Sequence, residues 1–434
     1  MTSTKKLVLI ELNEINFDIV QKYLDQHPSQ FNNLRRLISL KHCTTYAEEQ
    51  YELLEPWIQW VSVHTGKSYS EHNVFRLGDI INTSERQLFE KIEGRGYKVG
   101  AISPLNASNQ LQKADYFIGD PWTETSPSGN MLIHALQKAI SQSVNDNSEG
   151  TITLKSIVTL LVGFTRLAQF KNLPQYFGLA LSSRGKPWRK ALFLDLLLSD
   201  IHSCLFKNSK TNFSTLFLNA GAHIQHHYLF NSKVLSEHKG KNPLWYVNSK
   251  DDPCQEMLKC YDSIIGNCLD MVTKGTELII ATGLSQIPYD SIKYYYRLRC
   301  HDEFLKLIGC HYIKVVPRMT RDFLILFESP SDAENALKIL SSVCLSNEPI
   351  FGEIDNRGDS LFVTLNYPHE IRPESEFMVN SESKGELLPH VIFIAIKNGM
   401  HQSKGFAYFS LGLEAPAEGK HVKNIYNTIS SYFS

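Results

Sequence analysis

Short apolar runs alternate with stretches of helical spacing along this chain. The first run, Leu7 to Leu12, is continuous, which predicts a strand buried on both faces. Phe17 to Leu24 then carries apolar residues at helical spacing, so the chain opens as a strand, a loop and a helix. Three later runs predict strands of the same kind: Tyr97 to Ile102, Ser214 to Leu218 and Leu278 to Ala281. The pattern indicates an α/β fold with a mostly parallel central sheet flanked by helices.

Two segments break this alternation. Residues 130–207 are mainly helical in pattern and predict a helical insert that covers the cleft as a lid. Residues 311–367 predict a small ferredoxin-like α+β insert. Its expected elements are strands Tyr312 to Val316, Phe323 to Phe327 and Leu361 to Leu365, and a helix Ala333 to Leu340 with its N-cap at Ser331. A chain of 434 residues exceeds the usual size of a single core, so inserts are expected. The core is then expected to comprise the remaining residues, 1–129, 208–310 and 368–434.

Composition narrows the possible partners. The formal net charge of -1 gives no long-range attraction to nucleic acid, and none is expected as a partner. The eight cysteines form no CxxC pair, which is typical of reduced thiols in a reducing compartment. No apolar stretch approaches the ~20 residues of a membrane-spanning helix. We therefore expect a cytoplasmic protein without a membrane span.

Polar side chains follow the first predicted strand. Asn13, Glu14 and Asn16 carry oxygens that can hold a cation or orient a phosphate, and ligands of parallel sheets bind at the carboxyl ends of strands. The alternative is a loop that caps the following helix, with Asn16 as the N-cap.

A second group surrounds Glu55 and Pro56. A proline at this place can begin a helix, and a carboxylate near tryptophans can have its pKa raised by desolvation and serve as an acid or base. Gln59 and His64 follow in the same segment as candidate substrate-binding residues. The alternative is a carboxylate at a helix N-terminus beside aromatic core residues.

The third group follows the strand that ends at Leu218. Asn219 and Gln225 are candidate substrate-binding residues, and three histidines, His223, His226 and His227, occur within five positions. In a helix, His223 and His227 would lie one turn apart on one face, which is the spacing that zinc proteins use. Exposed or stacked histidines are the alternative interpretation.

Taken in order, these segments resemble the alkaline phosphatase superfamily, and most closely its type I phosphodiesterase and nucleotide pyrophosphatase branch. The matching segments are Thr65-Gly66, Glu71 to Phe75, LNAGAH around Asn219, IIATGLS, and GELLPHVIFIA from Gly385 to Ala395. The resemblance covers most of the chain outside the two inserts, and it implies the fold of that superfamily and a phosphate-containing substrate.

The departures from the family pattern fall on its functional positions. The resemblance places Asn13 and Asn219 at metal-binding aspartates and Pro56 at the nucleophile. Gly283, Leu284 and Leu387 stand at further metal ligands, and only His223 is kept. Zinc needs three or four strong donors, so the family's two zinc ions cannot be held in the usual way.

The dense polar groups of the same loops indicate a rebuilt site rather than a decayed one. We expect an enzyme, a hydrolase or transferase, that acts on a phosphodiester, nucleotide-sugar or sugar phosphate. Glu55, His223, His226 and His227 are its expected catalytic residues. The expected substrate-binding residues are Asn13, Glu14, Gln59, His64, Asn219 and Gln225. One divalent metal ion at most is expected, at His223, His227 and Glu14. The alternative is a non-catalytic protein that binds a phosphorylated ligand or a partner protein.

Overall fold

The computed structural model describes residues 5–145, 154–318 and 321–434. Its helices are α1 Phe17–Gln26, α2 Asn32–Ile38, α3 Pro56–Thr65, α4 Tyr69–His72, α5 Leu88–Glu93, α6 Met131–Asn145, α7 Leu154–Leu167, α8 Leu173–Leu181, α9 Trp188–Asn208, α10 Ala220–Tyr228, α11 Pro253–Val272, α12 His301–Leu307, α13 Pro330–Ser341 and α14 Ile425–Tyr432. Its strands are β1 Leu7–Leu12, β2 Lys41–Tyr46, β3 Val99–Ile102, β4 Tyr116–Ile118, β5 Phe213–Leu218, β6 Glu277–Ala281, β7 Ser285–Leu298, β8 Lys314–Pro317, β9 Asp322–Leu326, β10 Cys344–Leu345, β11 Glu348–Pro349, β12 Asp355–Asn356, β13 Ser360–Thr364, β14 Glu376–Val379, β15 Glu382–Glu386, β16 Val391–Gln402, β17 Lys404–Phe409 and β18 Lys420–His421.

The chain divides into two compact units. The first comprises Met1–Glu237, Val247–Pro288 and Gly399–Ser434, and the second comprises His238–Tyr246 and Tyr289–Asn398. The predicted insert 311–367 lies inside the second unit, which extends beyond it in both directions. The predicted helical insert 130–207 lies within the first unit, and its role as a lid stays a prediction.

An eight-stranded sheet forms the centre of the first unit. Its strand order is β18-β2-β17-β6-β1-β5-β3-β4. All neighbours pair in parallel except β17, which is antiparallel to both β2 and β6. The α/β class and the mostly parallel sheet predicted from the apolar runs are therefore confirmed. β1 begins and ends where predicted, and all six of its residues are buried, as expected for a central strand of a parallel sheet.

The second unit is α+β, as predicted, but it contains two four-stranded antiparallel sheets where one was expected, besides most of the two-stranded sheet β16-β7. Their orders are β12-β13-β9-β8 and β11-β10-β14-β15. β8, β9, β13 and α13 occur within a few residues of their predicted positions. The predicted N-cap at Ser331 is corrected to Ser329, whose side chain accepts a hydrogen bond from the Asp332 N–H, because Pro330 occupies the first helical position.

Across the described residues, no helix combines the length and the apolar character needed to cross a bilayer. All eight cysteines are free thiols, which agrees with the expectation from their spacing.

Candidate active site

The register of the central sheet brings the polar strand ends together. β1 pairs in parallel with β5 and with β6, so Leu12 lies opposite Leu218 and Glu11 lies opposite Ala281. The loop after β1 is held to both neighbours, because the Asn13 N–H donates to the Leu218 carbonyl at 3.1 Å and the Glu14 N–H donates to Thr282 at 3.0 Å. The site therefore begins where three parallel strands end, as such sheets favour.

Asn13 is tied to its neighbours through its whole side-chain amide. Its Nδ2 donates to Asn219 Oδ1 at 2.8 Å and to Glu14 Oε1 at 3.0 Å. Its Oδ1 accepts from Trp60 Nε1 at 2.9 Å. Both amide hydrogens are thus used within the protein. In this structure Asn13 orients the Glu14 carboxylate instead of presenting its amide to a substrate.

Glu14 lies at the centre of a cluster with His226 and His401. Its Oε2 is 3.0 Å from the Nε2 atom of each histidine, and the two Nε2 atoms are 3.2 Å apart. Among the described residues, this is the single group of three or more His, Cys, Asp or Glu side chains whose ligand atoms lie so close together. Glu14 also has a φ of 61°, a left-handed conformation that is strained for a residue with a Cβ. The chain therefore holds this carboxylate in place at a conformational cost.

The tautomer of His226 follows from its second ring nitrogen. His226 Nδ1 lies 3.0 Å from the carbonyl oxygen of Gly399, which can only accept, so Nδ1 carries a hydrogen. In a neutral imidazole, Nε2 would then aim a lone pair at the Glu14 carboxylate, which also offers only lone pairs. That contact is favourable only with a proton on Nε2 or a cation between the atoms.

The electrostatics of Glu14 agree with this arrangement. Burial acts to raise its pKa, but the charges of His401 and His226 and their hydrogen bonds outweigh burial and lower the pKa well below its usual range. Glu14 is therefore an anion at neutral pH, although only 2% of it is exposed.

Two glutamines fix the loop that carries Glu14. Gln225 Nε2 donates to the Glu14 carbonyl at 2.8 Å, and its Oε1 accepts from the Asn16 N–H at 3.1 Å. Gln286 Nε2 donates to Glu14 Oε2 and to the Ala222 carbonyl. Gln225, predicted to bind substrate, thus supports the loop in this structure. The predicted N-cap at Asn16 is confirmed, since its side chain accepts from the N–H groups of Asp18 and Ile19.

Asp195, inside the predicted helical insert, holds the start of α10. Its carboxylate accepts from the N–H of Asn219 at 3.3 Å, the N–H of Ala220 at 2.8 Å and the hydroxyl of Tyr261 at 2.7 Å. Burial raises the pKa of Asp195 to about 6, against the opposing effect of these hydrogen bonds. This part of the insert therefore fixes the start of α10, the helix that carries His226.

Glu55 precedes α3, which begins at Pro56 as predicted. Its Oε2 is 3.8 Å from His401 Nδ1, beyond hydrogen-bond distance but close enough for charge attraction. The Glu55 side chain is 34% exposed, far more than Glu14. Glu55 thus combines a contact to the histidine cluster with access to solvent.

His223 and His227 lie on α10, one turn apart as predicted, with ring centroids separated by 4.9 Å. Both are half-buried. Of the three residues predicted to bind a metal, the structure places only Glu14 in the ligand cluster. His226 and His401 stand there in place of His223 and His227.

Gln59 and His64 are buried instead of lining a cleft, which corrects the expectation for both. Each is 0% exposed. Gln59 Nε2 donates to the Leu53 carbonyl at 2.8 Å, and His64 Nε2 lies 2.9 Å from Glu11 Oε1. The inner face of α3 carries them into the core, where they anchor this helix to β1 and to its preceding turn.

His401, at the end of β16, is the member of the cluster that the sequence did not predict. The family resemblance placed the corresponding ligand at Leu387, but that residue belongs to the apolar core of the second unit and is 0% exposed. The available signal was a histidine soon after a long apolar run, in the segment NGMHQ. Its spacing does not link it to Glu14, because Glu14 lies near the beginning of the chain and His401 near its end.

The donor set fits one divalent metal ion. Two imidazole nitrogens and a carboxylate oxygen form the three-ligand set of many catalytic zinc sites, which leave a further position open. The ligand atoms of a tetrahedral zinc lie roughly 3.3 Å apart, and the three distances here are 3.0, 3.0 and 3.2 Å. The hydrogen bond from His226 Nδ1 to a carbonyl is also the usual second contact of a metal-binding histidine.

The sequence matches no protein-family model and no curated protein. Solved structures similar to this chain include phosphonoacetate hydrolase from Sinorhizobium meliloti, with a TM-score of 0.48, 9% identity and coverage of 99% of this chain and 96% of that one. Murine ectonucleotide pyrophosphatase/phosphodiesterase 5 follows with a TM-score of 0.43, 10% identity and coverage of 99% and 95%. The alkaline phosphatase of the Antarctic bacterium TAB5 has a TM-score of 0.39, 8% identity and coverage of 100% and 99%.

With TM-scores below 0.5 and identities of 8–10%, these similarities do not establish the family or the activity of this chain.

Proposed function

We propose that this protein is an enzyme acting on a phosphate-containing substrate, with one divalent metal ion held by Glu14, His226 and His401. The observation that carries the proposal is the convergence of three ligand atoms within 3.2 Å, with the His226 Nδ1 hydrogen already committed to Gly399. A purely structural cluster would gain little from a buried carboxylate in a strained backbone conformation.

A metal ion bound here would polarise a phosphoryl oxygen and lower the pKa of a bound water. The chain's own residues supply the rest. Asn13 and Gln286 hold the Glu14 carboxylate, and Glu55 lies 3.8 Å from His401 Nδ1, close enough for charge attraction. The exposed part of Glu55 can also accept a proton from an attacking hydroxyl.

The half-buried pair His223 and His227 is suited to donate hydrogen bonds to phosphate oxygens near the cluster. Pro56, which the family resemblance aligns with the usual nucleophile, has no nucleophilic atom. The proposal is therefore direct attack by water or by an acceptor hydroxyl, without a covalent intermediate at this position. Phosphodiesters, nucleotide-sugars and sugar phosphates are the proposed substrate classes, and the unpaired cysteines support a cytoplasmic location.

A second candidate function is non-catalytic binding of a phosphorylated ligand. The absence of a nucleophilic atom at Pro56 favours it, because such a chain could keep the metal and lose the reaction.

The test is turnover by protein stripped with a chelator and reconstituted with zinc, manganese or magnesium. The substrates are bis(p-nitrophenyl) phosphate, UDP-glucose and glucose 1-phosphate, and His42→Asn, at an exposed histidine outside the cluster, is the control. The proposal predicts metal-dependent turnover that Glu14→Gln abolishes and His42→Asn retains. Ligand binding without turnover would favour the second candidate, and turnover unaffected by Glu14→Gln would contradict the site.

A further inference from the structure

Three large apolar side chains point to solvent at and just before α8. Phe170 is 87% exposed, Phe177 61% and Leu181 84%. Single exposed apolar residues are common, but these three occur within twelve positions. We refer to Phe170, Phe177 and Leu181 as the α8 apolar face.

The outward direction of this face is fixed by the opposite side of the helix. Tyr176 is buried, and its ring packs on Phe164 and Phe193 with centroid distances of 4.8 Å and 4.9 Å. Its hydroxyl donates to Asp200 at 3.0 Å. Phe177 and Leu181 are one turn apart and therefore share a face. The helix is thus anchored by its polar and aromatic contacts and turns apolar residues outward, the reverse of an ordinary surface helix.

The same stretch of chain is strongly basic although the whole protein is nearly neutral. Residues 154–194 contain no Asp or Glu, and their Lys and Arg residues are Lys155, Arg166, Lys171, Arg184, Lys186, Arg189 and Lys190. Lys171, Arg184 and Lys190 are exposed. Lys186 forms an ion pair with Asp251, and Arg189 forms one with Glu256. These two ion pairs join this region to the rest of the first unit. Arg166, which is also exposed, precedes Phe170, so exposed basic residues lie on both sides of the α8 apolar face in sequence.

We propose that the α8 apolar face and its flanking basic residues dock this protein onto the surface of an anionic lipid bilayer. Outward aromatic and aliphatic side chains with exposed basic residues close by in sequence are typical of interfacial helices, which insert apolar groups among the headgroups. Interfaces between proteins are by contrast depleted in lysine, and nothing on this face offers matching acids for a second copy of it. The inference concerns a surface separate from the metal cluster and goes beyond the proposed function.

The test is sedimentation of the full chain with vesicles of phosphatidylcholine mixed with phosphatidylserine, and with vesicles of phosphatidylcholine alone. Binding to the mixed vesicles, weakened by salt, is expected. Phe177→Ser combined with Leu181→Ser should abolish it, whereas Leu411→Ser, at an equally exposed leucine elsewhere, should not. Arg184→Glu with Lys190→Glu should lower the partition coefficient more than about tenfold, since each basic residue near the surface contributes about fivefold. Lys274→Glu serves as the charge control.

Circular dichroism and gel filtration of each variant separate loss of binding from loss of folding. The proposal is overturned if the wild type ignores anionic vesicles, if both vesicle types bind alike, or if the face variants instead dissociate a dimer. Metal-dependent turnover is measured in parallel without vesicles, and its presence or absence does not affect this test.

Discussion

Replacing Glu14 by glutamine removes one charge and keeps the shape of the side chain, so it measures what the cluster contributes to folding. Both carboxylate oxygens only accept in this structure: Oε1 from Asn13, and Oε2 from Gln286 and the two histidines. A glutamine must turn its NH₂ group toward one of these sets of donors. Glu14→Gln therefore breaks a buried charge cluster and creates a clash between donors.

The expected loss is about 3 to 5 kcal/mol of unfolding free energy in metal-free protein near pH 6, the usual effect of removing one partner of a buried ion pair. The pKa of Glu14 is lowered in the folded protein, so its contribution is complete above the ordinary value of 4.5 and is lost as the pH falls through the lowered pKa. The difference between wild type and variant should shrink accordingly at acid pH.

The assay is urea unfolding of chelator-treated protein between pH 3 and pH 6. Glu90→Gln is the matched control, because Glu90 is also buried but its pKa is raised, chiefly by burial. Its contribution to stability is lost as the pH rises through the raised pKa, so its pH trend should have the opposite sign. A Glu14→Gln variant as stable as wild type at pH 6, or a difference independent of pH, would refute the charge cluster.

Three further predictions test the parts of the site separately. Replacing His226 or His401 by Asn should weaken zinc affinity by more than about 100-fold in calorimetric titration, whereas His227→Asn should change it little. A larger loss of affinity in His227→Asn than in the other two variants would favour the ligand set expected from the sequence. Gly399→Ala would place a Cβ 2.1 Å from Gln286 Oε1 and 2.8 Å from the Gln225 carbonyl, so the midpoint of thermal unfolding should fall. In the control variant Gly178→Ala, the added Cβ meets nothing within 4 Å and should not destabilise the protein. Burial raises the pKa of Asp195 from 3.8 to about 6, so the wild type should lose stability as the pH rises through that range. In urea unfolding, Asp195→Asn should remove this dependence of the unfolding free energy on pH. An unchanged dependence would count against the buried carboxylate.

The sequence predicts the parallel sheet well because each buried strand is a short apolar run of its own. β1, β5 and β6 were all found within a residue of their bounds, and parallel pairing then places Asn13, Glu14 and Asn219 together. The antiparallel β17 was missed, since nothing local distinguishes KGFAYF from other apolar runs near the C-terminus.

The ligand cluster could be predicted only in part. Glu14 and His226 lie at strand and helix ends that the pattern marks, but His401 joins them through long-range pairing that spacing does not encode. The choice of His226 over His223 and His227 depends on which side of α10 faces Gly399, and helical periodicity alone does not say this. Burial of Gln59 and His64 likewise depends on the rotation of α3 about its own axis where it packs against β1.

Glu14, His226 and His401 are proposed to bind one catalytic metal ion. The most direct test is to add zinc stepwise to metal-free protein and to measure bound metal and phosphodiester turnover in the same samples. We expect both to rise together and to saturate at one ion per chain. No bound ion, or turnover that is complete before any metal is added, would contradict it.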